Sequence, residues 1–287
     1  MTRIFGIDSI FQDININLIR NIFNNINQTT VEIGAELGKT PQAFNPQVYG
    51  TLKNFSENVV LPVAVYFVAI IITINLIRNL LDDMKRQNPV KLFIMFTVTS
   101  IIAIILVSNS FEIVEAILNI TQKVVDSSLK LFDKNNNTNL VANFQQFEET
   151  LKELSFGSLF SLALTLILTY FITWLIRILV QVVILGRFIE IFMRISIAPI
   201  PFATFFNREF SSSGYNFVKS MGAVSLQAVL IMVVIAIYKG MIANILVSIG
   251  TEEELNLFLI KTLGINITLI FSLFQTKRIA DSILQAH

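Results

Sequence analysis

Long apolar runs dominate the chain, and their length decides what they can be. A helix rises about 1.5 Å per residue, so a run of about 18 or more apolar residues reaches across the hydrocarbon of a bilayer. Residues 59–77 form such a run, with Pro62 near its start. Residues 92–107 fall slightly short, but Val90 and uncharged Ser108 extend them. Residues 156–186 are very long and hold Arg177, and residues 221–249 hold Lys239. Residues 257–274 are apolar except for Lys261, whose stem can lie on apolar surface while its ammonium reaches the interface. These five are the predicted transmembrane helices. The stretch 188–206 differs, because it carries Glu190, Arg194, Pro199 and Pro201. Its uncharged part, 195–206, is about 12 residues, too short to cross. It is expected to be re-entrant or interfacial, with a full crossing as the alternative. The fold class is all-α, a polytopic integral membrane protein of about five transmembrane helices plus extracellular amphipathic helices.

Between the runs the apolar period is helical. Ile4, Phe5, Ile7, Ile10, Phe11, Ile14, Leu18, Ile19, Ile22 and Phe23 form one stripe. A helix of this kind covers the spans, lies on the membrane or packs on a partner. Further along, Phe111, Val114, Ile117, Leu118, Thr121, Val124, Val125 and Ser128 share a face, with Glu112, Glu115, Lys123, Asp126 and Lys130 mostly off it. A polar turn at 133–139 follows, and then Leu140, Phe144, Phe147, Leu151 and Leu154 recur at helical spacing. This reads as a helical hairpin extending the second and third spans, either for packing or as a lining or docking surface for exported material. The organisation is an amphipathic region at 1–58, a first transmembrane pair at 59–107, the hairpin at 108–155 and a C-terminal bundle at 156–287. The last contains a basic segment, 187–219.

Composition agrees with the run lengths. Of 287 residues, 54% are hydrophobic and 14% charged, against ~25% charged in soluble domains. That excludes an ordinary soluble enzyme, a disordered chain and a basic nucleic-acid-binding domain. The net charge of +1 conceals an uneven distribution. With five spans, segments 78–91, 187–219 and the C-terminal tail share a side on which basic residues are more than twice as dense as on the other. That side is expected to be cytoplasmic, which places the N-terminus outside, the C-terminus in the cytoplasm and the Glu252-Glu253-Glu254 turn outside. Asp8 and Asp13 interrupt the first apolar stretch, so the first span is expected to act as an uncleaved targeting signal. Sequons at Asn27 and Asn136 are expected by chance in so asparagine-rich a chain.

Reactive chemistry is sparse. There is no cysteine, and the single histidine is His287. Phosphate-binding loops, zinc-protease motifs, nucleophile elbows and dinucleotide fingerprints are all missing from the sequence. No catalytic residue, cofactor or metal is expected. The apolar cores contain no Asp or Glu, which weakens a proton- or sodium-coupled transporter. Arg177 either snorkels to cytoplasmic headgroups or contributes to a ring of cations in an oligomeric pore. Lys239 sits nearer the outer third of its run and is the better candidate for an inward- or subunit-facing charge.

Several stretches together resemble the TrbL-like membrane subunit of type IV secretion (conjugation) systems in the form found on Gram-positive elements. They are TPQAFNPQVY at 40–49 with SENVVLPVA at 56–64, LVSNSFEIV at 106–114, RISIAPIPFAT at 194–204 with NRE at 207–209, and YNFVKS at 215–220 with QAVLIM at 227–232. The resemblance implies a non-enzymatic channel subunit of the cytoplasmic membrane, with five spans and a large outside loop after the second. It implies a homo-oligomer, a ring of five, between cytoplasmic ATPases and outer channel proteins. The translocated substrate would be single-stranded DNA with its relaxase, or protein. Arg187, Arg194, Pro199, Pro201, Arg208 and Lys219 then become candidates, with Arg177 and Lys239, for the translocation path or for assembly. The competing readings are a small-solute permease component, a non-conducting scaffold and, for the two prolines, a plain helix break at the membrane surface.

Overall fold

The computed structural model describes residues 7–83, 89–135, 151–152, 154–207, 210–246 and 252–286, which are helical apart from short turns, with no strand among them. The helices are α1 (Ile7–Leu37), α2 (Pro41–Phe44), α3 (Pro46–Phe55), α4 (Leu61–Asp83), α5 (Pro89–Ser108), α6 (Ser110–Asn135), α7 (Phe156–Ile197), α8 (Pro199–Thr204), α9 (Ser211–Leu246) and α10 (Glu252–Leu284). A π-helical turn, Ser56–Val60, joins α3 to α4.

Local chemistry explains the boundaries. The Thr40-Pro41 and Asn45-Pro46 pairs are two successive helix starts. The Thr40 hydroxyl accepts from the Ala43 N–H and the Asn45 side chain from the Val48 N–H, with proline next in each case. Pro62 has no N–H and its ring crowds the carbonyl four residues back, so the wider π turn just before it accommodates the defect without ending the helix. From Pro46 to Arg78 the helix is unbroken. At Asn109 the chain bends by 62° between Phe93–Ser108 and Ser110–Ser128. The hairpin arm is therefore not a straight extension of the second span. Most of its return arm and most of the expected 133–139 turn lie outside the described residues. The Glu252-Glu253-Glu254 run begins α10 and is not a loop.

The stretch 188–206 is also redrawn. It does not begin as a separate element. α7 runs through Gly186 to Ile197, about 63 Å of helix at ~1.5 Å per residue. The break falls at Ala198, because Pro199 cannot donate backward, and α8 resumes at once.

Helix contacts divide the chain into two compact units, and α6, α7, α9 and α10 contribute to both. The first comprises Met1–Gly38, Val125–Leu185 and Val229–Thr276. Here α1 buries Asn15, Ile19, Ile22, Ile26, Ile33 and Leu37, one helical stripe. The expected stripe holds at Ile19 and Ile22, while Ile10 and Ile14 stay exposed. α1 lies parallel to α7 in near-constant register. The Phe11 ring meets Phe156 and Phe160 edge-on, Asn15 donates to the Leu159 carbonyl at 3.1 Å, and Arg177 reaches Glu32. Thr165, Thr169 and Thr173 each donate to the carbonyl four residues back, so these hydroxyls are satisfied within α7. On α9 and α10 the buried Tyr238 hydroxyl donates to Asn266 Oδ1 at 2.8 Å.

The second unit comprises Lys39–Val124, Gly186–Ala228 and Lys277–His287. Its interior is the stripe Ser56, Val60, Ala64, Val68 and Ile71, next to α8, which buries Pro199, Phe202 and Ala203 against α4 and α5. Phe111, Val114 and Leu118 bury the expected face of α6, and the Tyr49 hydroxyl donates to Glu115 at 2.9 Å.

Three helices are long and apolar enough to cross a membrane, Pro46–Arg78, Phe156–Ile197 and Ser211–Ile242, and a fourth if the bent pair at Asn109 is one span. The fifth expected crossing, 257–274, is helical throughout, within α10. The outward faces remain strongly apolar. Tyr66, Phe93, Ile101, Phe171 and Trp174 are all exposed.

Candidate functional site

The candidate residues fall into two groups. Arg187, Arg194, Pro199, Pro201 and Lys219 belong to the second unit, while Arg177 and Lys239 belong to the first. Arg208 lies outside the described residues.

The last turns of α7 carry the densest polar cluster. Arg187 is buried at 7% exposure among apolar neighbours. Its Nε donates to the Val224 carbonyl of α9 at 3.1 Å, and its guanidinium lies 5.5 Å from the Phe188 ring centre. Its Nη1 is buried without a partner, as are Ser225 Oγ and Gln227 Oε1 on α9. One turn later Glu190 binds two cations at once. Its Oε1 accepts from Arg194, four residues on, and its Oε2 accepts from Lys277 on α10 at 2.6 Å. The Glu190 side chain is 14% exposed, Arg194 25% and Lys277 48%, so the carboxylate is the most shielded member and keeps both oxygens satisfied. This contact joins the end of α7 to the end of α10. There Ala280 is fully buried, and Leu284 lies so close to Gly222 that a Cβ would sit 3.0 Å from it.

Pro199 is buried and Pro201 half-buried. Ile195, Ala198, Pro199, Phe202 and Ala203 are all buried. Phe202, Phe205, Phe217 and Tyr215 form a chain of edge-to-face rings around the corner. Gly214 closes it, since a Cβ there would meet the Pro201 carbonyl at 2.9 Å. Lys219 is exposed.

Two contacts fix what the segment runs beside. The Phe44 ring stacks on Phe188 with centroids 3.8 Å apart, and Asn75 donates to the Phe206 carbonyl. Residues 188–206 thus follow the line from Phe44 to Asn75 in the same direction.

Arg177 neither stands alone nor reaches only for headgroups. One guanidinium nitrogen lies 2.7 Å from both carboxylate oxygens of Glu32. Sequence reading missed Glu32, although its near-constant spacing to Arg177 matches that of the Phe11 and Asn15 contacts. Lys239 is half-exposed and pairs with no described residue. Nearby, Val234, Tyr238, Met241, Ile265, Leu269 and Ser272 line a shallow cavity of about 70 Å³. Among the described residues no cluster of acidic residues is arranged to hold a metal ion.

The family model described as TrbL/VirB6 plasmid conjugal transfer like protein matches residues 26–199, from the second half of α1 to the Pro199 break. No curated protein and no solved structure matches the chain.

Proposed function

Because the chain belongs to the TrbL/VirB6 plasmid conjugal transfer like family, we propose that it is an integral membrane subunit of a conjugative type IV secretion channel. Copies of it assemble in the membrane to form or scaffold the path of single-stranded DNA with its relaxase. The family match carries the reading, and the extended apolar exteriors of α4, α5 and α7 suit a chain covered by lipid and by other subunits. The chain contributes no catalytic step, and cytoplasmic ATPases supply the energy to a machine in which it is a passive wall or frame. The basic segment 187–219 faces those ATPases.

A small-solute permease is less well supported. Its ligand cavities are typically ~300 Å³ or more, whereas the cavity beside Lys239 is about 70 Å³.

The test is complementation of a deletion strain. Removing residues 108–155 is expected to leave membrane insertion intact and abolish DNA transfer. A deletion strain that conjugates normally without the chain, or protein that is strictly monomeric in mild detergent, overturns the reading. Lys239 is proposed to face a neighbouring subunit, because a half-exposed ammonium in an apolar helix needs a partner or water. Lys239→Leu is expected to insert normally and to shift the oligomer distribution on native gels. Unchanged oligomers together with unchanged transfer would return Lys239 to ordinary snorkelling.

A further inference from the structure

We infer that the seam between α9 and α10 is a binding site for an anionic phospholipid, with the phosphate on Lys261 and one acyl chain in the apolar cleft that runs from it along the two helices. The inference rests on α9 crossing the membrane, and not on what the assembled machine transports.

The Tyr238 hydroxyl bonds Asn266 Oδ1 at 2.8 Å, and only residues 247–251 join the two helices, so they lie side by side in opposite directions. The cleft between them has a buried floor of Tyr238, Ile265 and Leu269 and an exposed rim of Ile237, Met241 and Thr268. It extends to Val234 and Ser272, so it follows about 10 Å of each helix. Its volume is about 70 Å³. A trough this narrow, running along the helix axes, admits a stretch of acyl chain and not the face of another helix. Two of its hydroxyls are satisfied within the protein, Tyr238 by Asn266 and Thr268 by the Gly264 carbonyl at 2.8 Å. The wall that remains suits hydrocarbon.

Lys261 stands one turn before Ile265 and therefore on the same face of α10, at the end of the trough nearest residues 247–251. It is exposed and makes no ion pair among the described residues. Its depth follows from α9. No charge lies between Lys219 and Lys239, about 30 Å of helix, the thickness of bilayer hydrocarbon. Tyr238 precedes Lys239, and its partner Asn266 comes five residues after Lys261. Lys261 is thus about one turn past the level of Lys239, in the headgroup layer of the leaflet away from Lys219. An ammonium at that level, above an apolar trough, meets lipid phosphate.

The chain itself does not supply the counter-charge. Runs 58–77, 90–108, 156–186, 211–246 and 255–280 contain no Asp or Glu, so the spans of a second copy bring no carboxylate to Lys261. Glu254, the nearest acidic residue before it on α10, is seven residues away, about 10 Å along the helix. Arg177 in the same unit shows the contrast, since Glu32 meets it. Lys239 lies by helical spacing on a different face of α9 from the trough and takes no part in the site.

The test uses the full chain in vesicles of equal phosphatidylglycerol and phosphatidylcholine. A photo-crosslinking phenylalanine analogue replaces Ile237 on the rim or Ile267, which points away from the trough by helical spacing; both positions are exposed. Denaturing gels separate chain–chain from chain–lipid adducts, and mass spectrometry identifies the lipid. At Ile237 phosphatidylglycerol adducts are expected to exceed phosphatidylcholine adducts about fivefold, the effect of one lysine on an anionic lipid. At Ile267 the two are expected to be equal. Lys261→Gln abolishes the preference, and Lys261→Arg keeps it. Equal lipid adducts at Ile237, the same preference at Ile267, or a preference that survives Lys261→Gln overturns the inference. An adduct to a second copy as the main product at Ile237 does so too. Adducts form whether or not DNA is transferred, so a failed lipid site leaves the transfer reading standing.

Discussion

Glu190 is a carboxylate that two elements depend on, and its removal should cost more than removal of either cation. Glu190→Gln leaves Arg194 and Lys277 facing a neutral amide in a largely shielded site. Charge-assisted hydrogen bonds contribute about 1.5–3 kcal/mol each, less where a partner is half in water. The expected loss is about 2 kcal/mol of stability, read as a lower melting midpoint in detergent. Lys277→Met should lose less, because Lys277 is 48% exposed. Equal losses from the two variants would show that Glu190 does not bridge them. The Arg177–Glu32 pair belongs to the same scale. Arg177→Leu and Glu32→Leu should each destabilise, and the double variant should fall short of their sum by about 1 kcal/mol in a double-mutant cycle. Arg177 stood out in the sequence because a charge inside an apolar run is rare. Glu32 did not, because a glutamate in an amphipathic helix is ordinary, and only the parallel register of α1 on α7 gives it a role.

At the scale of elements, run length and proline position were readable, and partnership was not. The apolar runs became helices, and the break came where Pro199 demands it. The sequence could not show that α7 continues through Gly186, since a glycine between an apolar run and the charged Arg187 permits either outcome. Nor could apolar content separate a helix facing lipid from one facing another helix, which is why the stripe of α1 did not show that Ile19 and Ile22 are buried within the chain while Ile10 and Ile14 are exposed. Close approach is likewise a property of the pair. At Gly214 an added Cβ would sit 2.9 Å from the Pro201 carbonyl and 3.1 Å from the Phe205 ring, so Gly214→Ala must push α9 away from the corner. The expected cost is about 1–3 kcal/mol, with reduced folded yield on size-exclusion chromatography. At Gly264 a Cβ would meet nothing within 4 Å, and Gly264→Ala should leave yield unchanged or gain up to ~1 kcal/mol from helix propensity. Equal behaviour of the two variants would mean that the corner does not pack on Gly214.

For the whole molecule, the open question is which exposed apolar residues meet lipid, because exposure in a single chain counts lipid-facing and partner-facing surface alike. Ile101 and Ile10 are exposed to almost the same degree, 52% and 55%. They sit in different company. Ile101 is in the middle of α5, within a run free of charge from Leu92 to Ser108, whereas Ile10 lies between Asp8 and Asp13 on α1. A lysine at the centre of a spanning helix costs about 2.5–3.5 kcal/mol on insertion scales, because an ammonium in hydrocarbon has no water to bind. On a helix that already carries acidic neighbours the same lysine costs little. Ile101→Lys is therefore expected to deplete the carbonate-resistant membrane fraction severely, and Ile10→Lys to leave it near the parent level. Should Ile101→Lys insert as well as the parent, α5 is not in contact with lipid, and its outward face belongs to a neighbouring subunit. In that case the same variant would insert but fail to assemble, and native gels on the membrane extract would show monomer where the parent chain shows oligomer.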